Sequence, residues 1–191
     1  KKIFIIGAGQ LGSRHLQALK YVKDVLDIYI IDPSNESLNI AKERYDSLEL
    51  IDNNNVIYMN TIVDINIESN IDLVIIATSS NVRSFVTIEL LKKFTVNTII
   101  FEKILFQKKD DYFTIKKLLD INNVKAYVNC PMRMMSFYKD IKPLFKGTTF
   151  KYLVSGSQFG LVTNLIHYLD HICFLNENSE YKANADYLDK E

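Results

Sequence analysis

The feature that most constrains this chain is the run Gly7-Ala8-Gly9-Gln10-Leu11-Gly12, which has the spacing G-x-G-x-x-G. Glycines are common in loops, so the spacing alone is a weak signal. Here it follows the apolar run Ile3–Ile6 and opens a helical pattern, Gln10–Val22. A strand, a glycine turn and a helix in that order predict a dinucleotide-binding βαβ unit.

Each position of this glycine turn has a physical task in such a unit. Gly7 permits the tight turn, Gly9 lets the backbone approach a pyrophosphate, and Gly12 lets the helix pack close to the strand. The backbone N–H groups at the start of the helix, at Gln10 and Leu11, then face the phosphates. A helix-initiating turn without a nucleotide is the alternative.

Asp32 ends the second predicted strand, 20 residues after Gly12. A carboxylate at that place accepts hydrogen bonds from both hydroxyls of the adenosine ribose, and it would repel the 2′-phosphate of NADP. The sequence therefore predicts NAD as the cofactor.

Short apolar runs alternate with amphipathic ones along the first 129 residues. This alternation predicts parallel strands joined by helical crossovers, a doubly wound α/β sheet of the Rossmann type. The predicted strands are Ile3–Ile6, Ile28–Ile31, Val56–Tyr58, Leu73–Ala77, Thr98–Phe101 and Val124–Val128, and the predicted helices are Gln10–Val22, Glu36–Asp46, Val82–Lys93 and Asp110–Ile121.

A different pattern begins after Asn129. It predicts a helix from about Met135 that ends near Pro143, a long strand Thr149–Ser157 and a helix of about Leu165–Leu175. One strand and two helices cannot close a sheet of their own. We therefore expect residues 130–191 to begin a second, incomplete α/β domain.

Polar residues follow two of the predicted strands at the edge that faces the cofactor crevice in such a sheet. Ala77, Thr78 and Ser79 come after one strand and are expected to line the riboses, or alternatively to cap the next helix. Glu102 and Lys103 come after the next strand. Glu102 is expected at the nicotinamide ribose, and Lys103 at a substrate hydroxyl, where a lysine of lowered pKa accepts a proton. From the residues alone, an exposed Glu-Lys pair is the alternative.

Charge and cysteine content argue against several other classes of protein. Lys+Arg and Asp+Glu both number 23. This balance argues against non-specific binding to nucleic acid and against a polybasic membrane surface, since both need an excess of basic residues. Two cysteines without CxxC spacing do not indicate a disulfide framework. With no apolar run long enough to span a membrane, a cytoplasmic protein is expected.

These motifs, together with Ser13-Arg14-His15 after the glycines, resemble the glucose-fructose oxidoreductase / inositol 2-dehydrogenase (Gfo/Idh/MocA) family, in order and at similar spacing. The resemblance implies an NAD-dependent oxidoreductase that acts on sugars, cyclitols or sugar nucleotides. It also implies a second domain that carries the substrate site, and a homo-oligomer when the protein is full length.

The resemblance assigns the chemistry to Lys103, from the family's Glu-Lys-Pro motif, and to His167, from its Asp-x-x-x-His motif. Asn164 and Arg133, with Asn129, are expected at the substrate. The stretch from Gly160 to His167 is similar to a subgroup associated with bacterial surface-polysaccharide synthesis. No metal is expected, although His167 and His171 have a spacing that zinc tolerates.

Two positions depart from the family pattern. Ile104 replaces the proline, which predicts a rearranged loop if the family uses a cis peptide there. Thr163 replaces the aspartate, so it cannot stabilise a nearby cation. An NAD-binding sensor or scaffold without catalysis is therefore the alternative function, and reduction of another small carbonyl compound is a third.

Overall fold

The computed structural model describes residues 1–50, 52–67, 70–158, 160–180, 182 and 184; of residues 161 and 162 it describes only the backbone. The chain forms two compact units, residues 1–129 and residues 130–191.

The first unit is built on a six-stranded parallel sheet with the order β3-β2-β1-β4-β5-β6. This confirms the predicted doubly wound α/β fold. The strands are β1 (Lys2–Ile6), β2 (Asp27–Ile31), β3 (Asn55–Met59), β4 (Ile71–Ile76), β5 (Val96–Phe101) and β6 (Lys125–Val128), and the helices are α1 (Gln10–Leu19), α2 (Asn35–Asp46), α3 (Ser80–Lys93) and α4 (Lys109–Ile121).

The core has two layers because the central strands are buried on both faces. Along β1, Phe4 and Ile6 pack into one hydrophobic cluster, and Ile3 and Ile5 pack into the other. A side-chain period of two sends neighbouring residues to opposite faces. A strand with both faces covered must therefore be apolar throughout, which is why β1 has no polar residue between Ile3 and Ile6.

Helix boundaries differ from prediction by a few residues. Helix α1 ends at Leu19 rather than Val22, and α3 begins at Ser80 rather than Val82. Ser34 caps α2, since its hydroxyl accepts a hydrogen bond from the Ser37 N–H at 3.2 Å. None of the helices in the described part of the chain has the length and apolarity that a membrane crossing needs.

The described part of the second unit contains helices, 3₁₀ turns and an irregular stretch. Helix α5 (Ser136–Ile141) runs into a 3₁₀ turn at Lys142–Phe145, which confirms a break near Pro143, and α6 spans Leu161–Asn176. The predicted strand Thr149–Ser157 is wrong: these residues have no regular structure. A strand needs a partner for its backbone groups, and no strand of this unit is found among its described residues.

The glycine turn between β1 and α1 explains how closely this helix packs. Gly7 has a φ of +99°, and a Cβ there would lie 2.8 Å from the Ala77 carbonyl carbon. A Cβ on Gly12 would lie 1.7 Å from the Gly7 oxygen, whereas a Cβ on Gly9 would meet nothing within 4 Å. The first and third glycines are therefore required by the fold, and the second is not.

We expect Gly12→Ala to lower the free energy of unfolding by about 3 kcal/mol, because backbone must move to admit the methyl group. Urea denaturation followed by circular dichroism measures this change. Gly9→Ala is the matched control and should cost less than about 1 kcal/mol. Equal losses from the two variants would contradict this account of the turn.

Candidate active site

The glycine turn and Asp32 meet at the carboxyl edge of the sheet. The Asp32 carboxylate accepts one hydrogen bond from the Ala8 N–H through Oδ2 and one from the Ser34 N–H through Oδ1, both at 2.8 Å. Asp32 is half-buried, and each oxygen retains a second lone pair. The carboxylate is therefore held beside the turn with acceptor capacity for ribose hydroxyls.

The start of α1 is open at the same edge. Gly9 is its N-cap and contributes no side chain, and Gly9, Gln10 and Leu11 are exposed. The first N–H groups of a helix have no partner within the helix and carry a partial positive charge. This geometry is suited to a pyrophosphate, as the sequence predicts.

The loop after β4 contains Ala77, Thr78 and Ser79. The Ala77 N–H donates to the Ile6 carbonyl at 2.8 Å, which ties this loop to the end of β1. Ser79 is the N-cap of α3, but its hydroxyl bonds to Asn81 Oδ1 at 2.6 Å rather than to the helix backbone. The Thr78 hydroxyl is buried without a hydrogen-bond partner among the described residues. Ser79 thus occupies the predicted cap position, but its side chain does not cap α3. Lining the crevice stays a prediction for this loop.

Glu102 is almost fully buried at the end of β5, with 3% of its surface exposed. Its Oε1 lies 2.7 Å from His15 Nε2 and 2.7 Å from Asn129 Nδ2. Burial by itself would raise the pKa of Glu102, but the hydrogen bonds from His15 and Asn129 outweigh burial, so the pKa lies below its ordinary value. The carboxylate is therefore an ionised acceptor that joins α1, β5 and the end of β6.

Lys103 follows Glu102 and is half-buried. The peptide bond between Lys103 and Ile104 is cis, with isoleucine at the position where the resemblance places proline. Lys103 thus lies in the loop after β5, in the first unit, with Glu102.

Two residues of this edge were not predicted as part of the site. His15 was noted only as part of the family resemblance, and its contact with Glu102 spans 87 positions of the chain. Arg83, on α3, is 2% exposed and donates hydrogen bonds to backbone carbonyls of both the β4 and β5 loops. The sequence offers one weak signal for Arg83: it is an arginine near the start of the helix that follows a crevice loop.

The second unit holds the predicted substrate-side residues. Asn164 and His167 are half-buried and lie one turn apart on α6. Thr163, in place of the family's aspartate, donates its hydroxyl to the Gly160 carbonyl at 3.0 Å. Helix α6 therefore brings Asn164 and His167 together. Lys103 belongs to the first unit.

Arg133 joins a 3₁₀ turn, Pro131–Met134, to α6. Its Nε donates to Asp170 Oδ2 at 2.9 Å, and a terminal nitrogen donates to Oδ1. The bond to Asp170 raises the pKa of Arg133. The predicted substrate contact of Arg133 would have to operate beside this ion pair.

His171, four residues after His167, is a buried structural histidine. Its Nδ1 lies 2.8 Å from the Tyr152 hydroxyl, and burial lowers the pKa of its imidazole. Within the described ranges, no group of three His, Cys, Asp or Glu residues is arranged to hold a metal ion.

The pKa of Glu102 predicts how stability depends on pH. Because folding lowers this pKa, the ionised carboxylate stabilises the folded state above its unfolded pKa of about 4.3, and that contribution is lost as the pH falls through the lower folded-state pKa. We expect Glu102→Gln to lower the free energy of unfolding by about 1–2 kcal/mol at pH 7. The difference from wild type should begin to shrink as the pH falls below about 5.

Denaturant titrations at a series of pH values measure this difference. Glu89→Gln is the control: Glu89 is exposed on α3 and pairs with Lys92 at 2.8 Å, so its variant should follow the wild type at every pH. A Glu102→Gln deficit that stays constant down to pH 3 would contradict the assignment of an ionised carboxylate.

The fold recurs in solved structures of oxidoreductases at low identity. A Gfo/Idh/MocA family oxidoreductase from Vibrio cholerae superposes with a TM-score of 0.68 at 17% identity, covering 97% of this chain and 58% of that one. An oxidoreductase from Agrobacterium radiobacter, in complex with NAD+, L-tartaric acid and magnesium, gives 0.67 at 18% identity, covering 91% and 54%. The WlbA (WbpB) dehydrogenase from Thermus thermophilus, in complex with NAD and UDP-GlcNAcA, gives 0.64 at 18% identity, covering 92% and 62%.

These likenesses establish the fold, and the chain spans little more than half the length of those structures. Among curated protein sequences, none matches this chain. Residues 1–130 match the sequence profile described as "Oxidoreductase family, NAD-binding Rossmann fold", GFO_IDH_MocA. That match confirms the family indicated by the motifs and NAD as the predicted cofactor. The chain belongs to the Gfo/Idh/MocA family of oxidoreductases with an NAD-binding Rossmann fold.

Proposed function

We propose that this protein is an NAD-dependent oxidoreductase that transfers a hydride between the nicotinamide and a carbinol of a sugar or nucleotide sugar. The observation that carries this proposal is the edge of the sheet where the open start of α1 lies beside the Asp32 carboxylate, which two backbone N–H groups hold in place. The residues present fit NAD, since phosphates are met by N–H groups and ribose hydroxyls by a carboxylate.

Two further observations support a sugar nucleotide as the substrate class. Solved structures of similar fold include a WlbA dehydrogenase in complex with NAD and UDP-GlcNAcA. The stretch from Gly160 to His167 also resembles the subgroup associated with surface polysaccharides, and α6 carries Asn164 and His167 one turn apart. We therefore propose a role in polysaccharide biosynthesis. From the family resemblance, we also propose that the protein is cytoplasmic and forms a homo-oligomer.

In this reaction NAD supplies the hydride acceptor or donor at its nicotinamide ring. The chain's own residues move the proton. As the carbinol C–H bond breaks, the hydroxyl proton passes to Lys103 or His167, and in the reverse direction the same group returns it to the carbonyl oxygen. Glu102 is ionised and shares its Oε1 with His15 and Asn129, so it orients the loop that carries Lys103.

A second candidate is an NAD-binding module without catalysis, such as a sensor or scaffold. Thr163 favours it, because a neutral hydroxyl bonded to the Gly160 carbonyl cannot stabilise a protonated lysine or imidazole as a carboxylate would. The two functions differ in turnover, not in cofactor binding.

The cofactor assignment predicts the behaviour of Asp32→Ala. Loss of the ribose acceptor should weaken NADH binding about tenfold or more and reduce the preference for NADH over NADPH, because the carboxylate no longer repels the 2′-phosphate. Isothermal titration with both cofactors measures this. Asp27→Ala, at the opposite end of β2, is the matched control and should retain wild-type affinities; an unchanged preference in Asp32→Ala would contradict the assignment.

The catalytic assignment predicts that Lys103→Ala and His167→Ala each lower kcat by about 100-fold or more, with NADH affinity changed less than about threefold. Absorbance at the nicotinamide band, with UDP-GlcNAcA and related nucleotide sugars as probes, measures turnover. Wild-type protein that binds NADH but turns over none of these probes would favour the non-catalytic module. Full turnover in both variants would place the chemistry elsewhere.

A further inference from the structure

Arg83 is a buried charge that neither the sequence motifs nor the proposed chemistry uses. It lies in the first turn of α3 and is 2% exposed. Burial lowers the pKa of its guanidinium, and the negative charge of Glu102 opposes that effect. A buried guanidinium is costly unless its N–H groups are hydrogen-bonded. The Arg83 Nε has no partner among the described residues, so the partners of its two terminal nitrogens indicate its task.

Those partners are backbone carbonyls of two different loops. One terminal nitrogen donates to the carbonyls of Glu102, Ile104 and Leu105, the last at 3.0 Å. The other terminal nitrogen donates to the Thr78 carbonyl. A single planar group thus joins the loop after β4 to the loop after β5.

Arg83 bonds to the backbone on both sides of Lys103. The carbonyls of Glu102 and Ile104 flank it, and both bond to the same nitrogen of Arg83. Strands β4 and β5 pair in parallel with Ile76 opposite Phe101, so the two loops leave the sheet side by side.

Two more hydrogen bonds hold this arrangement. Thr87 donates its hydroxyl to the Arg83 carbonyl at 2.7 Å, which fixes the first turns of α3. Gln107 Nε2 donates to the Ser80 hydroxyl at 3.1 Å, which is a second link from the β5 loop to the start of the same helix. The β5 loop is therefore anchored to α3 at both of its ends.

We propose that Arg83 is a positioning residue that clamps the Glu102–Leu105 loop to the Thr78 loop and so sets Glu102 and Lys103 at the nicotinamide half of NAD. This inference rests on the proposed function, which places the nicotinamide at this edge. Arg83 itself touches backbone carbonyls and acts through the loop.

The clamp depends on the shape of arginine. A guanidinium presents donors in a rigid plane and spans acceptors on two sides, whereas a lysine ammonium is one point on a flexible stem. Arg83→Lys keeps the charge but cannot reach both loops at once. Arg83→Met removes the charge and the donors but keeps an apolar stem of similar length.

The test compares these two variants with wild type, using the whole chain. Lys92→Met, an exposed cation on the same helix that pairs with Glu89, is the matched control. Calorimetric titration with NADH and with ADP separates the two halves of the site, because ADP lacks the nicotinamide and its ribose. Hydrogen–deuterium exchange of a peptide covering residues 102–106 reports on the loop.

For Arg83→Lys we expect NADH affinity to fall about tenfold, ADP affinity to stay within twofold, and exchange at 102–106 to rise about tenfold while a β1 peptide is unchanged. Arg83→Met should show the same pattern more strongly, and Lys92→Met should match wild type. An unchanged NADH to ADP ratio, or faster exchange spread evenly over all peptides, would overturn the clamp. Wild-type protein that binds neither NADH nor ADP would instead contradict the proposed function.

Discussion

The parallel pairing of β1 with β2 on one side and β4 on the other is the constraint on which the site depends. Ile6 lies opposite Ile31 in one pair and opposite Ile76 in the other. The strand order reverses at β1, because the chain adds strands first on one side of it and later on the other. The loops that follow these strands therefore open a crevice at their carboxyl ends, and the glycine turn, Asp32 and Ala77 all lie at that crevice.

Two charged side chains that are buried at the carboxyl edge of this apolar sheet have specific hydrogen-bond partners. Glu102 accepts hydrogen bonds from His15 and Asn129, and the two terminal nitrogens of Arg83 donate to four backbone carbonyls. In surroundings of low dielectric, a buried charge that loses one partner costs more than the bond was worth, so these networks tolerate little displacement. Because displacing the loop between Glu102 and Leu105 would cost Arg83 its hydrogen bonds, this energetic penalty holds the loop in place.

The second unit is organised differently. Its described part has helices and 3₁₀ turns, and its ordering comes from side chains: Arg133 pairs with Asp170, and Tyr152 bonds to His171. Both interactions converge on α6, the helix that carries Asn164 and His167. These two contacts attach α6 to the segments that precede it.

The sequence by itself determined the fold of the first unit and the part of the cofactor site that is formed by the glycine turn and Asp32. Strand periodicity, glycine spacing and Asp32 are local signals, because a turn, a helix start and a strand end depend on residues close together in the chain. It misassigned Thr149–Ser157, since a strand exists only if a partner strand is present. Only the tertiary structure decided the partners of Glu102 and the position of Arg83. Those contacts join residues as far apart as His15 and Glu102, and hydrogen bonding across such separations leaves no periodic trace in the sequence.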